Sequence, residues 1–414
     1  MHRISSQMNN MDTQYNLRTQ EYRSAKVQHQ IGSQSRISSL RDDPIAAGHL
    51  VRYQSYLSRV NQFEKNAQTL ADQFQVREGY MNQNLQIMHR VRELAITGAN
   101  GTYSTDDLKN MASEVNELLK ELIQNANAVG PDGNSLFSGT RTKTVAFDVS
   151  LGNVPGANEP LISSVTYNGN IGANRVEVDE NAYLTIDNSG SKTFWAEPQQ
   201  LMGQRDLTAW QAPGNAVITV DGQDIAIEAG DNIFAVAAKI NQSGAAVKAE
   251  IDPISQGLNL TATDSRQLWL EDKTGTVLQE LGMIKDSSQR PPYNIGDSVR
   301  VSGGSLFDAV ISLRDALLSG DQEAIGGRVL GTIDLGMSNL TARLAKTGSE
   351  YERAQNNIQR NRTSELNTTQ LVSREGDIDM TKAITDMKML DYVNQATLSN
   401  AGKMYSSTLL NYMR

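Results

Sequence analysis

The side chains best suited to holding a transition metal in this 414-residue chain are four histidines, because the sequence has no cysteine. They are His2, His29, His49 and His89, and no two share a helical face at ligand spacing. They read as solvated or seam-edge residues. Asp221-Gly222-Gln223-Asp224 could open a calcium loop, but the further carboxylates of such a loop do not follow, and Asp-Gly between apolar runs is a hairpin turn. Ser302-Gly303-Gly304-Ser305 could cradle a phosphate, but no lysine follows; a turn and a helix cap explain it. Trp195, Trp210 and Trp269 could form a sugar platform, with a β-domain core as the plainer reading. Triplets such as Asn361-Arg362-Thr363 matter only in a glycosylating compartment. No zinc-protease helix motif is present. The expectation is no catalytic residue, no metal site and no cofactor.

What the sequence does carry is helical periodicity. Leu50, Tyr53, Leu57, Val60, Glu64, Ala67, Ala71, Phe74, Glu78, Met81, Leu85, Met88, Arg92 and Ala95 alternate steps of three and four. Leu330, Ile333, Met337, Leu340, Leu344, Thr347, Tyr351, Ala354 and Ile358 repeat the pattern near the other end. A seven-residue repeat over two turns puts one narrow stripe on each helix, and each stripe needs a partner. Two sequence-distant arms with matching stripes predict an antiparallel helical bundle, joined by short links and extruding the middle as a separate body.

Residues 3–30 predict a first helix, with Ile4, Met8, Met11, Tyr15, Tyr22 and Ala25 on the seam and Arg18 intruding. It is rich in Gln and Asn, so its apolar surface is thin and ordering depends on a partner. Ser-rich residues 32–40 break it. Asp43 is a natural N-cap and Pro44 a natural first helical residue. The next helix runs to about Ile96, roughly 75 Å at 1.5 Å per residue. Ser104 caps a third, with Leu108, Met111, Val115, Leu118 and Leu122 on its seam and Asn125 in the position after. Pro131-Asp132-Gly133 closes it.

From Leu136 the period changes. Thr144–Val149, Ser164–Tyr167, Arg175–Val178 and Tyr183–Ile186 are short β-type runs. Residues 216–284 form a subunit: a hairpin over Val217–Ile227, a helix over Ile233–Asn241, then strands at Ala246–Ile251, Leu258–Ala262 and Leu268–Glu271. Ser305 caps a return to helix. A long helix follows from about Gly326 to Glu365. The last segment, Ile378–Tyr412, carries Ile384, Met387, Leu390, Val393, Leu398, Met404 and Leu409, and mirrors the first helix. The fold class is therefore mainly α with a β-rich inserted middle. Three zones are expected: a terminal zone from 1–42 with 370–414, a heptad bundle from 43–145 with 301–369, and an outer α+β domain at 146–300.

Charge follows this division. Residues 131–300 hold 12 Lys and Arg against 21 Asp and Glu, while the remainder balances at 26 against 26. An acidic middle argues against nucleic acid as a partner. No run approaches the roughly 18 apolar residues of a membrane helix, and residues 1–10 have no signal-peptide core. Export, if it occurs, is expected without a cleaved leader, and no membrane contact is expected.

Ser38-Ser39-Leu40-Arg41-Asp42-Asp43-Pro44-Ile45-Ala46-Ala47 resembles the N-terminal flagellin signature. Arg90-Val91-Arg92-Glu93-Leu94-Ala95, followed by Gly98-Ala99-Asn100-Gly101-Thr102, resembles the same family further on. Ile240-Asn241 after an Ile-rich hairpin resembles a module inserted in flagellins and hook-associated proteins. Met1-His2-Arg3-Ile4-Ser5, Leu136-Phe137-Ser138-Gly139 and the run from Phe307-Asp308 to Gly320-Asp321 look more like the hook-associated protein 3 family, found at the hook–filament junction. Residues 409–414 match neither group sharply. The resemblance implies export unfolded through the flagellar secretion channel, followed by self-association in a ring. It implies contact with another hook-associated protein and with flagellin, and an export chaperone on the C-terminal helix at about 378–412. Terminal helices would line the channel, the heptad arms would form the next shell, and the middle would face solvent. Asp42, Asp43 and Pro44 become subunit contacts as well as a cap. Two alternatives stand: a filament flagellin subunit, and a surface- or glycan-binding module on a coiled-coil stalk.

Overall fold

The computed structural model describes residues 2–157, 159–286, 288–291 and 293–410; of 2–10 and 404–410 it describes the backbone alone. In chain order the helices α1 (His2–Ser33), α2 (Pro44–Gly98) and α3 (Thr105–Ala126) come first. The strands β1 (Phe147–Gly152), β2 (Leu161–Tyr167), β3 (Asn174–Asp179) and β4 (Ala182–Ile186) follow, then a single turn α4 (Gly190–Thr193) and β5 (Gln200–Gly203). Next come β6 (Ala216–Val220), β7 (Gln223–Ile227), α5 (Ile233–Gln242), β8 (Val247–Ile251), β9 (Leu258–Ala262), β10 (Leu270–Thr274), the turn α6 (Val277–Glu280) and β11 (Val299–Ser302). The return is α7 (Leu306–Ser319), the turn α8 (Gln322–Ala324), a π-helical turn at Ile325–Val329, α9 (Leu330–Gly376) and α10 (Met380–Leu410). These elements form two compact units, one of residues 1–65 with 357–414 and one of residues 66–356, and α2 and α9 contribute to both.

In the 66–356 unit α2 and α9 run antiparallel. Arg92 donates to Asp334 at 2.6 Å, and the Thr347 hydroxyl lies 3.9 Å from the Met81 sulfur. The buried stripe of α2 is Ala67, Leu70, Phe74, Arg77, Met81, Asn84, Met88, Val91 and Ala95. Of the expected seam in this unit, Ala67, Ala71, Phe74, Met81, Met88 and Ala95 are buried, while Glu78, Leu85 and Arg92 are only half-buried and the position before each is buried instead. The same offset recurs in α3, where Ala112, Leu119 and Ala126 are buried in place of Met111, Leu118 and Asn125 as the leading contacts, although Asn125 is itself largely covered. On an α-helix both candidates of each pair border the same stripe. The neighbouring elements decide which turns inward, and α3 packs on α7, where small alanines let the backbones approach.

Arg314 of α7 is fully buried. It donates to the Ile162 carbonyl of β2 at 2.8 Å, to Asn116 of α3 at 3.3 Å and to Asp315 at 2.6 Å. A buried guanidinium is tolerated because its donors are satisfied. Beside it an aromatic cluster closes the core: Phe307 lies 4.9 Å from Phe147 and 5.5 Å from Phe194, centroid to centroid, and Phe194 meets Phe137 edge-on at 5.0 Å. Gly336 of α9 leaves room for the Leu306 side chain, which a Cβ there would meet at 2.4 Å.

The inserted module has its own core of Ile, Val, Leu and Ala. Strands β10-β6-β7 make one antiparallel sheet and β11-β5-β9-β8 another. The hairpin β6–β7 turns at Asp221 and Gly222, with φ of 48° and 80°, the two left-handed residues of a type I′ turn. Its carboxylates serve the frame: Asp221 pairs with Arg266, and Asp224 pairs with Lys273 and accepts from Thr219 at 2.8 Å. Two strands, β5 and β11, go beyond the sequence expectation; each is four residues long and pairs far along the chain. Ser305 caps α7 with a full capping box to Asp308, as its spacing predicts. Trp195 and Trp269 are buried core residues, and Trp210 is half-buried with its indole N–H on Glu280 at 3.1 Å. They do not form an exposed sugar platform.

Phe307→Ala should lower the unfolding free energy by about 3–5 kcal/mol, since it empties the centre of the aromatic cluster. Urea denaturation followed by circular dichroism checks this.

Candidate assembly interface

In the unit formed by residues 1–65 and 357–414, a polar corner joins four helices, α1, α2, α9 and α10. The α1–α2 link lies against the α9–α10 link: Ser35 bridges Asp377, and the Arg36 amide donates to the Gly376 carbonyl at 2.7 Å. The Arg36 guanidinium donates to the Glu375 carbonyl at 2.8 Å and to Asp43 at 3.2 Å. Asp43 caps α2 as expected: its Oδ1 accepts from the Ala46 amide at 3.1 Å, and its own carbonyl accepts from Ala47 at 2.9 Å. Pro44 is exposed at the first helical position, where a missing N–H has no cost. Asp379 caps α10 in the same way, accepting from Lys382 at 3.1 Å.

Asp42 turns to the other side. It accepts from the Ser38 and Ser39 amides at 3.1 and 3.0 Å, from the Ser38 hydroxyl at 2.9 Å, and pairs with Lys26 of α1 at 2.7 Å. The Lys26 bond, with the Ser38 bonds, holds its carboxyl well below the usual carboxylate range. The Asp43 carboxyl is lowered by the Ala46 amide and then by Arg36. The Asp42-Asp43-Pro44 triplet is therefore a double brace, with one carboxylate for the link and one for the helix. Nothing near it in the sequence announces Arg36, whose carbonyl partner is 339 residues away.

The α1 seam residues are uncovered. Met11 is 69% exposed, Tyr15 72% and Tyr22 68%. Among the described side chains of α1, Thr13, Leu17, Gln20, Ser24, Val27 and Ile31 are half-buried on the opposite face at about 100° per residue, and Thr19, Lys26 and Gln30 are half-buried on its flank. That face, with Leu17, Val27 and Ile31, is the one toward α10, which packs along α1. On α10, Met387, Leu390 and Val393 are half-buried, while Ile384 and Leu398 are 44% and 55% exposed on its flank. Met389 and Tyr392, outside the expected seam, are exposed as well. Ile4, Met8, Met404 and Leu409 lie outside the residues whose side chains are described. The stripe expected at an assembly interface is thus not the face of α1 that packs on α10 within the chain.

The pattern of the bacterial flagellin N-terminal helical region matches residues 4–142, which include this corner and α1 to α3. Over these residues the chain is similar to flagellins. It is 26% identical to a flagellin of Salmonella muenchen over 63% of its length, and spans 51%, about half, of that relative. It is 23% identical to flagellar hook-associated protein 3 of Escherichia coli K12, over 76% of this chain and 93% of that one. Flagellin A of Vibrio anguillarum is 23% identical, over 89% of this chain and 87% of its own length. Within the matched residues Asp42-Asp43-Pro44 has a local physical meaning, since it fixes how α1 turns into α2.

Asp42→Asn should release the link: the Ser38 and Ser39 amides should exchange faster with solvent while α2 stays helical, as read by hydrogen exchange with NMR. Because the folded carboxyl titrates lower than the unfolded one, its stabilisation is fully present above about pH 4. It is lost as pH falls through the lower folded value.

Proposed function

We propose that this chain is a structural subunit of the bacterial flagellum that sits at the hook–filament junction. The observation that carries the reading is the likeness to flagellar hook-associated protein 3, which extends over 93% of that relative. The exposed stripes of α1 and α10 support an assembly role. Met11, Tyr15 and Tyr22 on one helix, and Ile384, Leu398, Met389 and Tyr392 on the other, are large apolar groups left in water. On α1 the three share one face, and an exposed apolar stripe of this kind marks a surface that another protein covers.

The mechanism is ordering coupled to assembly. α1 and α10 have thin apolar faces, and a neighbour supplying a second apolar surface adds the burial that holds them. Neighbouring copies then close a ring, with a further hook-associated protein and flagellin above and below it. No described helix is long and apolar enough to cross a membrane. The chain reaches the cell exterior through the flagellar secretion channel, held until then by a chaperone on α10. A second reading, a filament subunit, is favoured by the end-to-end likeness to Flagellin A.

Three experiments test this. Immunolabelling of isolated flagella should mark a band at the base of each filament. Labelling along the whole filament selects the second reading, and no flagellar labelling removes both. Tyr15→Asp with Tyr22→Asp should cut incorporation into flagella at least tenfold while moving the melting temperature of the monomer by only about 2 °C, since exposed substitutions cost little. In the free monomer, hydrogen exchange should be fast over residues 4–25 and 380–410; strong protection there defeats the coupled-ordering mechanism.

A further inference from the structure

Two Asn-Gly pairs occur in the sequence, Asn100-Gly101 and Asn168-Gly169, and the fold treats them oppositely. In such a pair the backbone nitrogen of the glycine can reach the asparagine side chain, because glycine has no Cβ to hinder the approach. At Asn168-Gly169 the approach is closed. The Asn168 amide donates to the Ala146 carbonyl at 2.8 Å, its carbonyl accepts from Arg141 at 3.1 Å, and its side-chain oxygen accepts from the Tyr293 hydroxyl at 3.3 Å. Ring closure would have to rotate Asn168 out of these three bonds. Gly169 is buried, and a Cβ there would stand 2.2 Å from the Tyr167 hydroxyl oxygen and 2.7 Å from the Ser138 carbonyl. Tyr167 is fixed in turn, donating to the Asn170 carbonyl at 2.9 Å and accepting from the Gly190 amide at 3.2 Å.

At Asn100-Gly101 the same pair stands in water. It lies in the link between the end of α2 at Gly98 and the Ser104 cap of α3, and both residues are exposed. The Asn100 amide donates to the Thr97 carbonyl at 3.2 Å. Among the described residues, neither the Asn100 side chain nor the Gly101 N–H has a hydrogen-bond partner. A Cβ on Gly101 would meet only the far end of the Gln322 side chain, at 3.3 Å. Exposed links of this kind leave the backbone free to rotate.

We propose that Asn100 is a site of spontaneous deamidation. The Gly101 nitrogen attacks Asn100 Cγ and gives up its proton. The new N–Cγ bond closes a succinimide ring, the bond from Cγ to the side-chain nitrogen breaks, and that nitrogen leaves with the proton as ammonia. Water then adds to one ring carbonyl and breaks its bond to the ring nitrogen. Opening at Cγ leaves an aspartate in the normal backbone. Opening at the backbone carbonyl leaves an isoaspartyl link, with one more methylene in the main chain between α2 and α3. Water is the sole co-reactant, and nothing is oxidised or reduced. Either product puts a carboxylate just past the C-terminus of α2, where the helix dipole disfavours negative charge. The reaction belongs to the link itself and is independent of where in the flagellum the chain sits.

Timed incubation of the full chain at mildly alkaline pH, followed by digestion and peptide mass spectrometry, tests this. The peptide with Asn100 should gain the small mass difference between an amide and a carboxyl, and should separate on chromatography into aspartyl and isoaspartyl forms. Asn168 in the same sample should convert at least tenfold more slowly. In urea, with the fold gone, the two should convert at similar rates. Gly101→Ala, at a position outside the left-handed backbone region, should slow Asn100 at least tenfold. No conversion at Asn100 in the folded parent chain overturns the proposal. So does a folded chain in which Asn168 keeps pace, an Asn168 that stays slow in urea, or an unchanged rate in Gly101→Ala. The comparison of the two pairs in the parent chain needs no variant to fold.

Discussion

The antiparallel contact of α2 with α9 is the constraint on which the rest depends. Its residues are far apart in sequence, as Arg92 with Asp334 and Met81 with Thr347 show. Closing such a contact fixes a long loop, and the cost of closure grows only slowly with its length. The middle of the chain can therefore be long without weakening the bundle. The part from β5 to β11 has its own core and two sheets, whereas β1 and β2 join the core that α3 and α7 share.

The polar groups inside the bundle have different fates. Arg314 is fully buried and satisfied by a β-strand carbonyl, an amide and a carboxylate, so it fastens α7 to α3 and β2. Asn84, also fully buried, has neither amide atom paired within the chain. Such a residue lowers stability, but in a helical seam it penalises a slipped register, where the amide would face a different neighbour. Arg77 lies on the same stripe and is only partly satisfied. Stability and specificity therefore pull in opposite directions along one helix.

In the terminal unit, apolar burial is sparse and polar contacts take over the fastening. Arg36 ties two links together through backbone carbonyls, and Asp42 and Asp43 divide the work of bracing a link and capping a helix. These bonds are exposed, and exposed ion pairs contribute little each. A unit held this way, with Tyr15, Tyr22 and Tyr392 in water, is suited to gaining its remaining order from neighbours.

Helix existence, caps and turns were legible in the sequence because each depends on a few adjacent residues: Asp43-Pro44, Ser305 with Asp308, Asp221-Gly222. The hairpin, helix and strands within 216–284 were legible for the same reason, since each carries a local period. Which side of a stripe turns inward was not. Leu85 against Asn84 and Met111 against Ala112 differ by one residue, about 100° of rotation, and the choice rests on the element packed opposite. The strands β5 and β11 escaped because four residues carry too little period to stand out, and their pairing is with distant partners. Asn100-Gly101 and Asn168-Gly169 read alike in the sequence, and only the packing around Gly169 separates them. Sequence by itself determined the local conformations and the mainly helical plan; the tertiary structure alone decided the facing of each helix, since burial is a property of neighbours that the chain brings together from a distance.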